Sequence, residues 1–196
     1  MESLIGFVPP SSYSQLEQLL KKNSVEIKIT KDRKTKHGDF RINSKGLSSI
    51  TINQSLNPYR FLITLLHEIA HYKVSITTGL KAKPHGFEWK SAFRETLLPF
   101  LNLEIFPDPI CSILAKHMKN PKASTDRDFD LVMALKSYDS KKKAAYIFEL
   151  QNGDFFKIYN GRRFVKIKKL TKRFECKEIS TGRFYIFSPH AEVIPE

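Results

Sequence analysis

Residues Phe61 to Lys90 have the sequence FLITLLHEIAHYKVSITTGLKAKPHGFEWK. At its centre, His67-Glu68-x-x-His71 has the H-E-x-x-H spacing. On a helix of 3.6 residues per turn, side chains four positions apart lie on one face, so both imidazoles can bind one ion. Glu68 is turned about 100° from His67, where its carboxylate can contact a water on that ion. The pattern predicts a metal-binding helix that carries its own general base.

A third ligand is needed, because a catalytic zinc site has three protein ligands and keeps the fourth position for water. We expect His85 to be that ligand. Pro84 and Gly86 flank it in a tight turn that would return the chain toward the first helix. Glu88 and Glu95 are the alternatives, and either would give a site of two histidines and one carboxylate.

The motif lies among apolar residues, namely Leu62, Leu65, Leu66, Ile69 and Ala70. A largely buried helix is therefore predicted, and buried imidazole and carboxylate groups without partners would be costly. A bound metal removes that cost. Asn57 and Pro58 supply an N-cap and a first-turn proline, so we predict a helix from Pro58 to Ile76.

These motifs resemble those of a known family. The segment from Thr64 to His71, TLLHEIAH, followed by His85-Gly-Phe-Glu-Trp89, is similar to the SprT-like zinc metallopeptidases. Members of that family include the Spartan proteases, which act on DNA-protein crosslinks. The family pattern is H-E-x-x-H followed by H-G-x-x-[FW], and the resemblance extends over about residues 11 to 100.

The resemblance carries expectations for particular residues. It implies that His67, His71 and His85 hold one Zn²⁺ and that Glu68 is the catalytic residue. It also implies a zincin-like α+β fold, in which a small antiparallel sheet packs on the metal-binding helix. The substrate it implies is a protein, bound or crosslinked to DNA.

The composition indicates a soluble globular protein. Its 196 residues are 41% hydrophobic, which is enough for one domain and a small appendage. Two cysteines, Cys111 and Cys176, are too few for a disulfide framework, and no signal sequence opens the chain, so we expect a reducing cytoplasm. No apolar segment is long enough to cross a membrane. The oligomeric state is left open.

The charge is strongly positive. There are 33 basic and 20 acidic residues, a net charge of +13, which favours a polyanionic partner such as DNA. Eight basic residues and no acidic one lie between Lys157 and Arg173. We take seven of them as candidate nucleic-acid contacts: Arg162, Arg163, Lys166, Lys168, Lys169, Lys172 and Arg173.

Before the metal-binding helix, apolar residues alternate with polar ones and predict three strands of an antiparallel sheet. The apolar positions are Val25, Ile27, Ile29, Phe40, Ile42, Ile50 and Ile52. An edge of this sheet would hold extended substrate, and Ile50 to Asn53 or Phe40 to Asn43 are the candidates.

After the third histidine, a second helix carries an apolar face that we assign to the core, consisting of Trp89, Phe93, Leu97 and Phe100. Cys111 and His117 have no common zinc spacing, so we predict a core cysteine and a surface histidine.

The character of the chain changes after Ser137, so we predict a metallopeptidase domain over residues 1–137 and a basic β-rich module over 138–196. Three turn signals support the module: Asn152-Gly153-Asp154, Asn160-Gly161-Arg162 and Ser180-Thr181-Gly182. Many SprT-like proteins have a zinc ribbon here, but this chain offers only Cys176. We therefore expect a module that resembles a zinc ribbon without its cysteines and holds no second metal.

Two functions follow from these observations. The first is a zinc metalloendopeptidase in which Glu68 takes and returns a proton. The alternative is a nucleic-acid-binding protein whose zinc is structural or vestigial and which does not cleave protein. Glu68 favours the enzyme, because an inactive site need not keep a base beside its ligands.

Overall fold

The computed structural model describes residues 2–33, 35–79, 82–122, 128–139 and 145–196. Within them the chain has five α-helices and two β-sheets, which confirms the predicted α+β class. The helices are α1 (Tyr13–Lys21), α2 (Pro58–Thr78), α3 (Phe87–Leu97), α4 (Ile110–Lys119) and α5 (Phe129–Lys136). The strands are β1 (Glu26–Thr30), β2 (Gly38–Ile42), β3 (Ser48–Asn53), β4 (Ala145–Tyr146), β5 (Phe155–Lys157), β6 (Arg163–Lys169), β7 (Phe174–Glu178), β8 (Phe184–Phe187) and β9 (Glu192–Pro195).

The chain forms two compact units, Met1–Asp139 and Ser140–Glu196. The first unit contains the three-stranded sheet, ordered β1-β3-β2, and all five helices. Ile50 and Ile52 on β3 are fully buried, and the inner face of the sheet packs against α2.

The prediction that this sheet is antiparallel is wrong for one of its two pairs. β2 and β3 pair antiparallel, but β1 pairs with β3 in parallel. Consequently β3 is the central strand and β2 is an edge strand. Of the two predicted substrate edges, the segment that begins at Phe40 lies on an edge and the segment that begins at Ile50 does not.

The parallel pairing of β1 with β3 follows from the path of the chain between β1 and β2. The amide of Asn53, at the end of β3, donates to the backbone carbonyls of Arg33 and Lys36. In return Arg33 donates from Nε to the Asn53 side chain and from its terminal nitrogens to Thr51. These bonds hold the connection across the end of β3, so β2 forms on the far side of β3 instead of forming a hairpin with β1.

Helix α2 is the centre of the first unit. The side chain of Asn57 accepts a hydrogen bond from the Arg60 N–H at 2.9 Å, and Pro58 occupies the first turn, which confirms the predicted helix start. The helix runs two residues beyond the predicted end at Ile76 and stops at Thr78.

The apolar face predicted for the second helix is confirmed. Trp89, Phe93, Leu97 and Phe100 are all at most 1% exposed. The prediction of a surface position for His117 is wrong. His117 is 5% exposed, and its Nδ1 lies 2.8 Å from the carboxylate of Asp128, the N-cap of α5.

The second unit is a six-stranded antiparallel sheet, ordered β4-β9-β5-β6-β7-β8. Gly153, Gly161 and Gly182 all have positive φ, as the three predicted turns require. The core of this unit is formed by apolar residues, with Cys176 fully buried among them. No helix among the described residues is long and apolar enough to cross a lipid bilayer.

Candidate metal centre

Three imidazole rings meet beside α2. The Nε2 atom of His71 lies 3.2 Å from that of His67 and 3.0 Å from that of His85, and the last two are 3.2 Å apart. These three residues form a group that could hold a metal ion. Glu88 and Glu95, the alternative third ligands, lie instead along a cleft between α1, α2 and α3 and do not belong to the group found among the described residues.

Local structure explains how the rings meet. His67 and His71 are one helical turn apart on α2, so they point to the same side. His85 comes from a turn in which the Gly86 N–H donates to the Lys83 carbonyl at 2.8 Å. A Cβ on Gly86 would lie 2.9 Å from that carbonyl oxygen, so only glycine fits there.

The backbone of His85 is unusual. Its φ is 57°, and among the described residues it is the only non-glycine with positive φ. With Pro84 before it, this is the pattern of a type II turn, in which glycine normally takes the third position. A histidine in that position is strained, and such strain is concentrated at functional sites.

The distances between the Nε2 atoms fit a metal. Two nitrogens bound to a tetrahedral zinc at about 2.0–2.1 Å are about 3.3 Å apart, close to the separations between these Nε2 atoms. Burial and the neighbouring imidazoles lower the pKa of His71 to about 4 and the pKa of His67 well below its usual value. Both rings are therefore neutral near pH 7, which is the form that binds metals.

Glu68 lies between α2 and the edge strand β2 and is 8% exposed. A Cβ on Gly38 would lie 2.7 Å from Cγ2 of Thr64 and 2.9 Å from both Cγ and Oε1 of Glu68. Glycine at this position therefore allows β2 to approach the carboxylate closely. Gly38 was not among the residues predicted to form the site, although a glycine within a strand indicates close backbone approach.

The environment of Glu68 changes its proton affinity. Burial raises the pKa of Glu68 to about 7, and the negative charge of Asp39 acts in the same direction. The Phe40 N–H, which donates to the carboxylate, and the positive charges of Arg33 and Lys36 oppose this rise. A carboxylate with such a pKa can both accept and release a proton near neutral pH.

Comparison with known proteins relates a segment of the first unit to a family. The model of the SprT-like family matches residues 11–105, a segment that includes the three histidines, Glu68 and Trp89. Residues 11–105 belong to the SprT-like family. A search of curated proteins found no match to the chain.

The seven basic residues predicted to contact nucleic acid lie beyond the SprT-like segment, and they differ in exposure and in ion pairing. Lys166 is 4% exposed and donates from Nζ to the Leu150 carbonyl, so its ammonium is not available to a phosphate. Arg162 pairs with Glu178, Arg163 with Glu196 and Lys168 with Glu175. Lys169, Lys172 and Arg173 are exposed near the turn between β6 and β7, and no ion pair to an acidic residue is found for them in the described part of the chain.

Proposed function

We propose that the SprT-like segment is a zinc-dependent metalloendopeptidase of zincin type. The observation that carries this proposal is the convergence of three imidazoles, with a buried carboxylate adjacent in sequence to one of them. His67, His71 and His85 would hold the zinc. When bound, zinc supplies an acidified water and polarises the scissile carbonyl.

Glu68 performs the proton transfers in this proposal. Its carboxylate accepts a proton from the attacking water and then gives it to the nitrogen of the departing amine, so that a peptide and a water become a carboxylic acid and an amine. The raised pKa suits both halves of this exchange. The N–H of Phe40 orients the carboxylate from the side of β2.

The substrate would lie along the free edge of β2. No other strand of the described residues pairs with that edge, and extended peptides commonly add to such an edge. Along an antiparallel strand, every second N–H points away from the paired strand. The N–H groups of Gly38 and Ile42 therefore point in the same direction as that of Phe40. Because Glu68 accepts from Phe40, the N–H groups of Gly38 and Ile42 are the ones offered to a peptide.

We further propose that the substrate is a protein attached to DNA, by the resemblance to the Spartan proteases. Residues 140–196 contain 13 of the 33 basic and 6 of the 20 acidic residues, a net charge of +7. A unit with this charge would bring the enzyme to DNA. The two free cysteines, Cys111 and Cys176, suit a reducing cytoplasm.

The decisive experiment compares Glu68→Gln with the unaltered protein. Each protein is analysed for zinc and incubated with a DNA-binding protein, with and without DNA. Glu68→Gln should keep one zinc per chain and lose cleavage, whereas the matched control Glu95→Gln should behave like the unaltered chain. Cleavage by Glu68→Gln would overturn the mechanism, and equal cleavage without DNA would overturn the proposed link to DNA.

A second candidate function is nucleic-acid binding without proteolysis. The observation that favours it is the exposed group Lys169, Lys172 and Arg173. Replacing all three by glutamine should reduce the slope of log affinity against log salt by about 2–3. Replacing Lys157 and Arg163, which both pair with Glu196, is the control and should change the slope less. Binding with this behaviour but no cleavage of any protein would favour this second function.

A further inference from the structure

One aromatic side chain contacts all three imidazoles. The ring centroid of Trp89 lies 4.6 Å from that of His67, 5.4 Å from that of His71 and 4.7 Å from that of His85. Trp89 belongs to α3, whereas two of the histidines belong to α2 and the third precedes α3. The indole therefore connects the separate chain segments that provide the group.

The indole is itself held in place. Trp89 is 1% exposed, and its ring stacks on that of Phe93 with centroids 5.0 Å apart and planes 10° from parallel. Both residues belong to the apolar core of the first unit. A close-packed side chain of this kind has one position, so it provides a fixed surface for the rings that it contacts.

The indole N–H does not explain why position 89 is a tryptophan. Nε1 of Trp89 is buried and has no hydrogen-bond partner among the described residues. A buried donor without a partner is unfavourable, and phenylalanine would avoid that cost. We conclude that the contribution of Trp89 comes from the faces and edges of its ring.

His85 has particular need of such support. Its backbone is in the left-handed region, with a φ of 57°, and a strained conformation persists only where the surroundings fix it. The turn fixes the backbone of His85, and the edge-on contact with Trp89, at 73° between the ring planes, limits where the imidazole can point.

We propose that Trp89 is a positioning residue that holds the three imidazoles in their metal-binding arrangement before an ion enters. This inference rests on the metal site of the proposed function but not on peptide cleavage. Ligands that are already arranged lose less freedom on binding, so removal of the supporting ring should weaken metal binding itself.

The test is zinc affinity, measured by competition with a chromogenic chelator. Trp89→Leu should bind zinc about 10- to 100-fold more weakly than the unaltered chain, the range typical for residues that support metal ligands. Trp89→Phe keeps an aromatic ring and should stay within about threefold. Phe100→Leu is the matched control, because Phe100 is equally buried at 1% exposure and belongs to the same core. Its affinity should not change.

A second measurement uses the unaltered protein and so does not depend on the folding of any variant. Trp89 is the only tryptophan in the chain, so its fluorescence reports on this site alone. Titration with Co²⁺, which quenches a nearby indole, should reduce the emission and reach a plateau at one equivalent.

Each outcome has one meaning. Equal zinc affinity in Trp89→Leu and the unaltered chain overturns the inference, as does Co²⁺ binding that leaves the fluorescence unchanged. If Trp89→Leu does not fold, Trp89→Met replaces it in the same comparison. Normal zinc binding by the unaltered chain without cleavage of any protein would contradict the peptidase and leave the inference about Trp89 standing, whereas no metal binding by the unaltered chain would overturn both.

Discussion

Replacing Gly38 by alanine tests whether β2 sets the position of the catalytic carboxylate. The new Cβ would lie 2.7 Å from Cγ2 of Thr64 and 2.9 Å from Cγ and Oε1 of Glu68, whereas ordinary contacts begin at 3.4 Å. The strand or the two side chains must therefore move by about 0.5–0.7 Å, the difference between these distances. Such overpacking costs about 1–3 kcal/mol of stability.

The effect on catalysis should exceed the effect on stability. A misplacement of about 1 Å at a reacting group can cost about 100-fold in rate, so a shift of the Glu68 carboxylate by half that distance or more should lower kcat/KM by about 10- to 100-fold. Zinc content should not change, because the three atoms nearest to the new Cβ belong to Thr64 and Glu68 and not to a histidine. The assay is cleavage of a protein substrate beside zinc analysis and thermal unfolding.

A double variant separates the two effects. Thr64→Ser removes the methyl group nearest to the new Cβ and keeps the hydroxyl, which donates to the Arg60 carbonyl at 2.8 Å. Gly38→Ala combined with Thr64→Ser should regain part of the stability but little activity, because the contact with Glu68 remains. Full activity in Gly38→Ala would refute the argument that β2 positions Glu68.

Three further predictions concern stability. Asn57→Ala should destabilise the first unit by about 1–2 kcal/mol in urea unfolding, since it removes the cap of α2 and the hydrogen bond from Asn57 to the Leu135 carbonyl; no change would show that the cap is dispensable. Zinc at 100 times its Kd should raise the free energy of unfolding by about 2.7 kcal/mol, and a chelator should reverse the accompanying rise in Tm. A Tm that does not change with zinc would contradict the metal site. Asp128→Asn keeps an N-cap but removes the charge beside His117. In the unaltered protein, burial raises the pKa of Asp128. The hydrogen bond from His117 and the positive charge of Lys122 outweigh this effect, so the pKa of Asp128 is lowered. The folded-state pKa lies below the unfolded one, so the unaltered protein should have the higher Tm above about pH 3.9, and the difference should vanish as the pH falls through the lowered value; a difference that persists at low pH would contradict the assignment to this charge.

The helical part of the site could be predicted from the sequence because it depends on local rules. The spacing of His67 and His71 fixes their shared face, and Asn57 with Pro58 fixes the helix start. His85 was also predictable, because Pro84 and Gly86 mark a turn whatever the rest of the chain does.

The parts that could not be predicted depend on contacts between distant residues. The parallel pairing of β1 arises from hydrogen bonds between Asn53 and the segment after β1, and no periodicity in the sequence encodes them. The burial of Lys166 also depends on contacts between distant residues. Lys166 alternates with the half-buried Val165 and Ile167 on β6, which places its side chain on the inner face, and its Nζ lies 4.0 Å from the ring centroid of Phe174. Charge counting along the chain cannot distinguish such a lysine from an exposed one.

The same limit applies to the role of β2 at Glu68. Neither Gly38 nor Phe40 is near Glu68 in sequence, and their contacts with it appear only when the sheet packs on α2. A motif identifies the base, but the surrounding fold determines its orientation and its pKa.

X-ray absorption of the zinc-loaded protein shows whether His67, His71 and His85 together hold one ion. We expect one zinc per chain with three imidazole nitrogens at about 2.0–2.1 Å, and the loss of one nitrogen ligand in His85→Ala. Sulfur ligands at about 2.3 Å, or a spectrum unchanged by His85→Ala, would contradict it.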